Sequence, residues 1–423
     1  MRMPLTWLLT LLATVPVLAQ LRLPEYTKEQ LPNGVTLVMM PKRDVPLVSL
    51  HLQVKGGGES DPKAMAGLAD ITNDLLLRGT SKRSAEQIAN EVDFLGASIG
   101  SASSASANSL MLEVLSKDLK QGVEILADLA LNSTFPEDEV AKELARALDN
   151  AKSLKDNPRG AIGPYAARFY FGDGHPYGNI ADEESIQRIG RNDILGYYQR
   201  MYAGANMAVI AVGDFDPAAL RKELGAAFGK AKPGKAYTWA NAQAVARGKA
   251  PRLLLVNDPQ ATQTYFQILQ PGISVTSADR TAMQLVNTLF GGRFTSMLND
   301  ALRVDAGLTY GVTSQLQQRR LPGSLAISTF TANETTEQAI DLALEVLKRL
   351  REKGVDAEQL ASAKAYVKGG TPTQLVETND QLADLLAEFE VTGQTREEVD
   401  GLFARIDAVT VADARRVIDT YYR

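Results

Sequence analysis

The stretch Gly67–Thr80, GLADITNDLLLRGT, decides how the rest of the chain is read. Leu68, Ile71, Leu75 and Leu76 recur at helical spacing and predict one buried stripe. Asp61 is the expected N-cap, with Pro62 at the first helical position. Gly79 stands where a left-handed residue closes a helix. Asp70, Asn73 and Asp74 fall at i, i+3 and i+4 and share one face. Two carboxylates one turn apart allow a hard-cation site at Asp70 and Asp74. Asn73 between them has no titratable group and cannot take a proton from a bound water. The plainer reading is a solvated polar face with its acids near a helix N-terminus.

Outward from this helix, the chain opens with MRMPLTWLLTLLATVPVLAQ. Arg2 followed by the apolar run Leu5–Leu18 reads as a secretory signal over residues 1–19. Val17 and Ala19 place the expected cleavage after Ala19, and an uncleaved anchor is the alternative. The mature protein is therefore expected to be periplasmic or otherwise exported. The sequence contains no cysteine, which rules out disulfides and cysteine-linked lipid, so stability must come from core burial. A length of 423 residues makes that easy and suggests at least two domains. A formal charge of −5 without basic runs argues against nucleic acid as a partner.

Strands are expected at Leu31–Met40, with a turn at Asn33-Gly34, and at Leu47–Val54. Helices are expected at Ser84–Leu95, Leu119–Ala130, Glu137–Ser153, Tyr165–Phe171 and Arg191–Tyr202. Ala97–Val114 reads as a strand pair of small residues, and Met207–Val212 as a strand. Residues 231–250 lose all periodicity and read as a linker. The pattern then restarts, with strands at Arg252–Val256 and Gln263–Gln270 and a helix at Ala278–Leu289. A shift of 220 residues places Ile186, Ile189, Asp193, Tyr198 and Tyr202 on Ile406, Val409, Asp413, Ile418 and Tyr422. The same shift places Phe135 and Val140 on Val355 and Leu360. The expected architecture is thus α+β: residues 20–230 and 251–423 form two homologous domains of roughly 200 residues, each a mixed sheet with helices packed on it.

A second cluster lies in the later half. Thr295–Asp305 reads as a helix ended by Gly307, and Thr309–Gln317 as a strand. Arg303 and Tyr310 flank that glycine, whose turn can fold both side chains toward one point. Guanidinium and phenol are both donors, and donors aimed at developing negative charge lower a barrier. The plainer reading is an arginine complementing a helix C-terminus beside a packed tyrosine.

The frame G-L-A-x₅-L-x₃-G-T resembles the zinc helix of the pitrilysin/insulinase metallopeptidases, the inverted zincins. GHPYG at Gly174–Gly178, GDF at Gly213–Phe215 and LTYGV at Leu308–Val312 extend the resemblance over the mature chain. In that family the helix carries H-x-x-E-H, two zinc ligands and a general base. The matching residues here are Asp70, Asn73 and Asp74. The family's third ligand, a glutamate, aligns with Asn150, with Asp149 as the neighbouring alternative; Glu143 matches a supporting acid. Every zinc position is therefore substituted, and no metal is expected in this chain. The only histidines, His51 and His175, lie in a strand and in the GHPYG loop.

Arg303 and Tyr310, by contrast, match the family's Arg/Tyr pair, which binds substrate and steadies the oxyanion beside zinc. The resemblance thus implies a non-zinc subunit of a heterodimeric peptidase, paired in a clamshell with an H-x-x-E-H homologue that supplies the zinc. Unfolded peptides would be the substrates, and the strand near Ala97–Ser104 would line the chamber. The alternatives are a catalytically silent scaffold or peptide-binding protein of the same fold, and a hydrolase using Asp70 and Asp74 with another metal.

Overall fold

The computed structural model describes residues 21–239, 241, 245 and 250–423; the signal sequence expected at 1–19 lies outside them. β1 (Thr27–Gln30), β2 (Thr36–Pro41), β3 (Leu47–Lys55), β4 (Ser98–Ser103), β5 (Ala107–Leu115) and β6 (Met207–Gly213) form a 6-stranded sheet in the order β1-β2-β6-β3-β5-β4. β6 runs parallel to β2 and antiparallel to β3. Its sequence MAVIAVG is buried along its whole length, as a central strand covered on both faces requires. β7 (Gln263–Pro271), β8 (Val312–Gln318) and β9 (Pro322–Ala332) form a 3-stranded antiparallel sheet in the order β7-β9-β8.

The inner face of the larger sheet carries Leu37, Leu50, Leu52 and Val209. It packs on α1 (Leu68–Leu75) and α3 (Leu119–Asn132), with α2 (Ala85–Phe94) and α4 (Glu137–Ser153) at the margin of the same core. Ser84 caps α2 through a capping box with Gln87. The outer face presents Val38, Met40, Ile210 and Val212, and these are covered from the other half of the sequence. The helix Asn379–Thr392 lays Leu382, Leu386 and Phe389 on them. Where β3 turns polar residues outward, the contacts become polar. Asp380 Oδ1 lies 2.9 Å from His51 Nε2 and Asp384 Oδ1 lies 3.2 Å from Nδ1, and the Asn379 amide donates to the Leu47 carbonyl.

The helix α5 (Pro158–Phe171) makes the reciprocal move and lies against β7. The two exchanged helices are counterparts, α5 starting at 158 and its partner at 379. The repeat is equally plain at the helices Arg191–Met201 and Val411–Tyr421, which match end for end at the 220-residue shift. Asp193 and Asp413 each accept a backbone N–H at the start of their helix, from Gly190 and Thr410. Tyr202 and Tyr422 are both buried behind the matching helix ends. Between the halves, Glu59 pairs with Arg320, whose guanidinium sits over Trp239, and Leu321 N–H donates to the Tyr177 hydroxyl at 2.9 Å.

Several elements differ from the sequence reading. The hairpin turn at Asn33-Gly34 is where it was expected, but the strands it joins are β1, which ends at Gln30 before Leu31, and β2, which starts at Thr36. Arg252–Val256 is not a strand, and Leu253 and Leu255 are exposed. Its apolar run has strand propensity but no ladder partner among the described residues, and propensity without a neighbour does not make a strand. The described part of 231–250 is anchored: Tyr237 N–H donates to the Asn206 side chain and Trp239 Nε1 to the Ser106 carbonyl. The expected helix Ala278–Leu289 shortens to Arg280–Asn287 and continues as a π-helical turn over Thr288–Gly292.

The helix exchange leads to two expected outcomes. Leu386→Ala, at a fully enclosed position, should destabilise the chain by about 2–5 kcal/mol in urea unfolding. Residues 21–239 expressed alone should bind an apolar dye and aggregate, because Val38, Met40, Ile210 and Val212 lose their cover.

Candidate functional site

The helix α1 begins at Leu68, with Gly67 at φ 97 as its N-cap rather than Asp61. Asp61 nevertheless does the capping work from upstream. Its Oδ2 accepts the Gly67 N–H and its Oδ1 the Ala69 N–H, both at 2.9 Å. Burial pushes its carboxyl up to about 7 despite those two donors. Gly79 is also not a left-handed closure: its φ of 138 and ψ of 142 carry the chain into short bridges at Gly79 and Thr80. Buried Thr80 then donates to Asp128, which Arg83 also holds at 2.8 Å. Gly67 thus opens the helix, and Gly79 and Thr80 serve the turn that leaves it.

Two of the three polar residues that share a face of α1, Asn73 and Asp74, are engaged rather than solvated. Asn73 is 1% exposed. Its amide donates to the carbonyls of Ala102 in β4 and Ser109 in β5, at 2.9 and 3.2 Å, and its oxygen accepts the Tyr202 hydroxyl at 2.9 Å. Tyr202 also accepts from Asn108, which donates in turn to Tyr197. Burial holds the phenols of Tyr197 and Tyr202 well above the usual range, so they remain neutral donors. Asp74 accepts from Ser101 at 2.7 Å and from Arg146 at 2.8 Å. Arg146, on α4, also donates to buried Glu143. Asp70 keeps an exposed edge; partial burial and the nearby Asp74 carboxylate raise its pKa, against the pull of Arg146.

Asn150 lies one turn beyond Arg146 and is exposed. These residues do not fit a zinc ion: the central side chain is an amide with its hydrogen bonds already made, and an arginine occupies Asp74, one of the two flanking acids. Among the described residues no group of three or more His, Asp or Glu side chains is placed to hold a metal. His51 bridges to Asp380 and Asp384 on the covering helix. His175 stacks on Phe171, accepts the Tyr177 N–H through Nδ1, and is lowered in pKa by burial.

In the second half, the segment expected as a helix over Thr295–Asp305 is a short helix at Met297–Asn299 capped by Ser296, then a π-helical stretch at Asp300–Asp305. Such stretches often occur at functional positions. Leu302 is buried and anchors it, and Arg303 next to it is partly exposed. Gly307, at φ 62, reverses the chain, and β8 starts at Val312 rather than at Thr309. Tyr310 sits in the intervening bend, 79% exposed. The Arg303 guanidinium carbon lies 5.0 Å from the Tyr310 ring centre.

The supports of the two side chains are fixed. Asn299 donates to the Val312 carbonyl and accepts its N–H, tying the helix to β8. From β9, Thr331 donates to the Leu308 carbonyl and Thr329 to the Gly311 carbonyl. A third side chain absent from the sequence reading completes the cluster: Phe294, 68% exposed, with its ring centre 4.3 Å from the Arg303 guanidinium carbon. An aromatic after Gly291-Gly292 was the only signal for it, and a helix reading of the segment conceals that contact.

Residues 37–165 match the family described as insulinase (peptidase family M16), and residues 188–367 match the peptidase M16 inactive domain. The chain belongs to the M16 peptidase family. An uncharacterized zinc protease of Mycobacterium tuberculosis is 26% identical to this M16 protein over 398 residues, covering 92% of this chain and 88% of the relative. A peptidase M16 inactive domain from Pseudomonas fluorescens has the same fold, with a TM-score of 0.84 at 22% identity over 94% of this chain and 95% of that one. A protease from Helicobacter pylori superposes with a TM-score of 0.87 at 18% identity over 95% and 97%. Both likenesses establish the two-domain α+β architecture expected from the sequence.

Two tests address the altered helix. Asn73→Leu should destabilise the protein by about 1–3 kcal/mol in urea, because two strand carbonyls and the Tyr202 hydroxyl lose their partner. Asp61, raised from 3.8 to about 7, holds a proton in the folded chain that the unfolded chain has released above pH 4. Its contribution is therefore full below pH 4 and lost as pH rises through about 7. Between pH 5 and pH 8 the wild type should lose on the order of 2–3 kcal/mol more than Asp61→Asn, read from urea midpoints.

Proposed function

We propose that this M16 chain is the non-zinc subunit of an exported heterodimeric metallopeptidase. The observation that carries the reading is the contrast between its two halves. Asn73 and Asp74 of the zinc-helix positions are committed to internal bonds, while partly exposed Arg303 and exposed Tyr310 converge on a rigid frame. A homologous chain bearing H-x-x-E-H supplies zinc and the general base across the interface. Arg303 and Tyr310 then donate to the carbonyl oxygen of the bound peptide as negative charge develops on it. Guanidinium is cationic at every working pH, and the phenol adds a directed O–H. Their supports, Asn299, Thr329 and Thr331, hold the donors in place before substrate arrives, which is where electrostatic catalysis gains most.

The assay is a mixture of this chain and an H-x-x-E-H homologue, acting on unstructured peptides. Zinc-dependent cleavage by the mixture and not by this chain alone is expected. Tyr310→Phe should lower kcat roughly 10²–10³-fold with the dimer intact on gel filtration. Unchanged turnover with Tyr310→Phe would instead favour the scaffold reading. For export, the N-terminal residue of the secreted protein should be Gln20, as mass spectrometry would show.

A further inference from the structure

We propose that Phe294 is a third member of the Arg303–Tyr310 site: its inner face positions the guanidinium, and its outer face receives an apolar side chain of the bound peptide. The inference rests on the peptidase reading above and deepens it by naming a substrate preference. Phe294 and Tyr310 lie against the same guanidinium, at 4.3 and 5.0 Å from ring centre to carbon. No carboxylate among the described residues pairs with Arg303, so the aromatic contacts are what orient it. A guanidinium held against ring faces keeps its N–H donors directed outward in its own plane, the geometry that meets a carbonyl or carboxylate edge-on.

Phe294 is an unusual residue to leave in water. It follows Gly291, whose backbone packs so closely on Ser314 that a Cβ there would lie 2.6 Å from that residue's side chain and backbone. It precedes Ser296, the buried cap of the next helix. The ring is therefore presented from an anchored turn, yet it is 68% exposed. One cation with apolar groups around it suits a peptide carbonyl flanked by a bulky apolar residue, since the carbonyl takes the N–H donors and the side chain covers the ring.

The test uses the full chain with its zinc-bearing partner and two peptides that differ only at the residue next to the cleaved bond, leucine or serine. Phe294→Ser should lower kcat/KM on the leucine peptide at least ten-fold and on the serine peptide two- to three-fold. Phe294→Tyr should restore both to within two-fold of wild type. Equal losses on the two peptides, or none, would overturn the proposal. On this chain alone, the Arg303 Nε–H resonance should move downfield in Phe294→Ser as one ring current is lost; an unmoved resonance also counts against it. Folding is not at stake at so exposed a position, and an unchanged melting temperature checks this. If Tyr310→Phe slows the mixture while Phe294→Ser does not, only this inference fails. If neither variant affects an active mixture, the Arg/Tyr reading itself fails.

Discussion

Covering the outer face of the six-stranded sheet is the constraint on which the rest of the molecule depends. Val38, Met40, Ile210 and Val212 alternate with inward-facing residues on the same strands, so the sheet is apolar on both sides. Its own helices occupy only the inner side. The second cover, Asn379–Thr392, arrives from more than 150 residues later in the sequence, and α5 travels the other way to β7. Neither half is a self-sufficient layer structure. The polar residues that β3 turns outward meet side chains suited to them, His51 against Asp380 and Asp384 above all, so the interface is specific as well as apolar.

Most of this order was legible in the sequence because it rests on periodicity. α4 was read to the residue, since Pro136 opens it and its apolar stripe is regular. The 220-residue repeat was legible because caps and buried aromatics recur with it, Asp193 with Asp413 and Tyr202 with Tyr422. The failures share one cause, which is dependence on distant partners. Arg252–Val256 has the composition of a strand, and a strand needs a neighbour. Asp61 looked like an N-cap and does cap, but across a loop that brings it back to Gly67. The π-helical stretch Asp300–Asp305 departs from the 3.6-residue period, so a helical count places its side chains wrongly.

For the site, the sequence showed which residue types were lost and which were kept, but not what the lost positions had become. Nothing local marks Asn73 as a bridge between two strands and a buried tyrosine. Nothing local pairs Arg146 with Asp74 across 72 residues. Arg303 and Tyr310 were legible through Gly307, a positive-φ turn that any reader of sequence can place. Phe294 was not, because its relation to Arg303 depends on the irregular winding between them.

Arg146 has a further consequence. In a zinc-binding relative, the positive charge between the two helices would be an exchangeable ion. Here it is covalently part of α4, and hydrogen bonds with Glu143 and Asp74 raise its already high pKa. No chelator can extract it, and no acidity short of titrating the carboxylates themselves can dissolve the pairing. The pairing of α1 with α4 through Arg146 therefore does not depend on the supply of a metal ion.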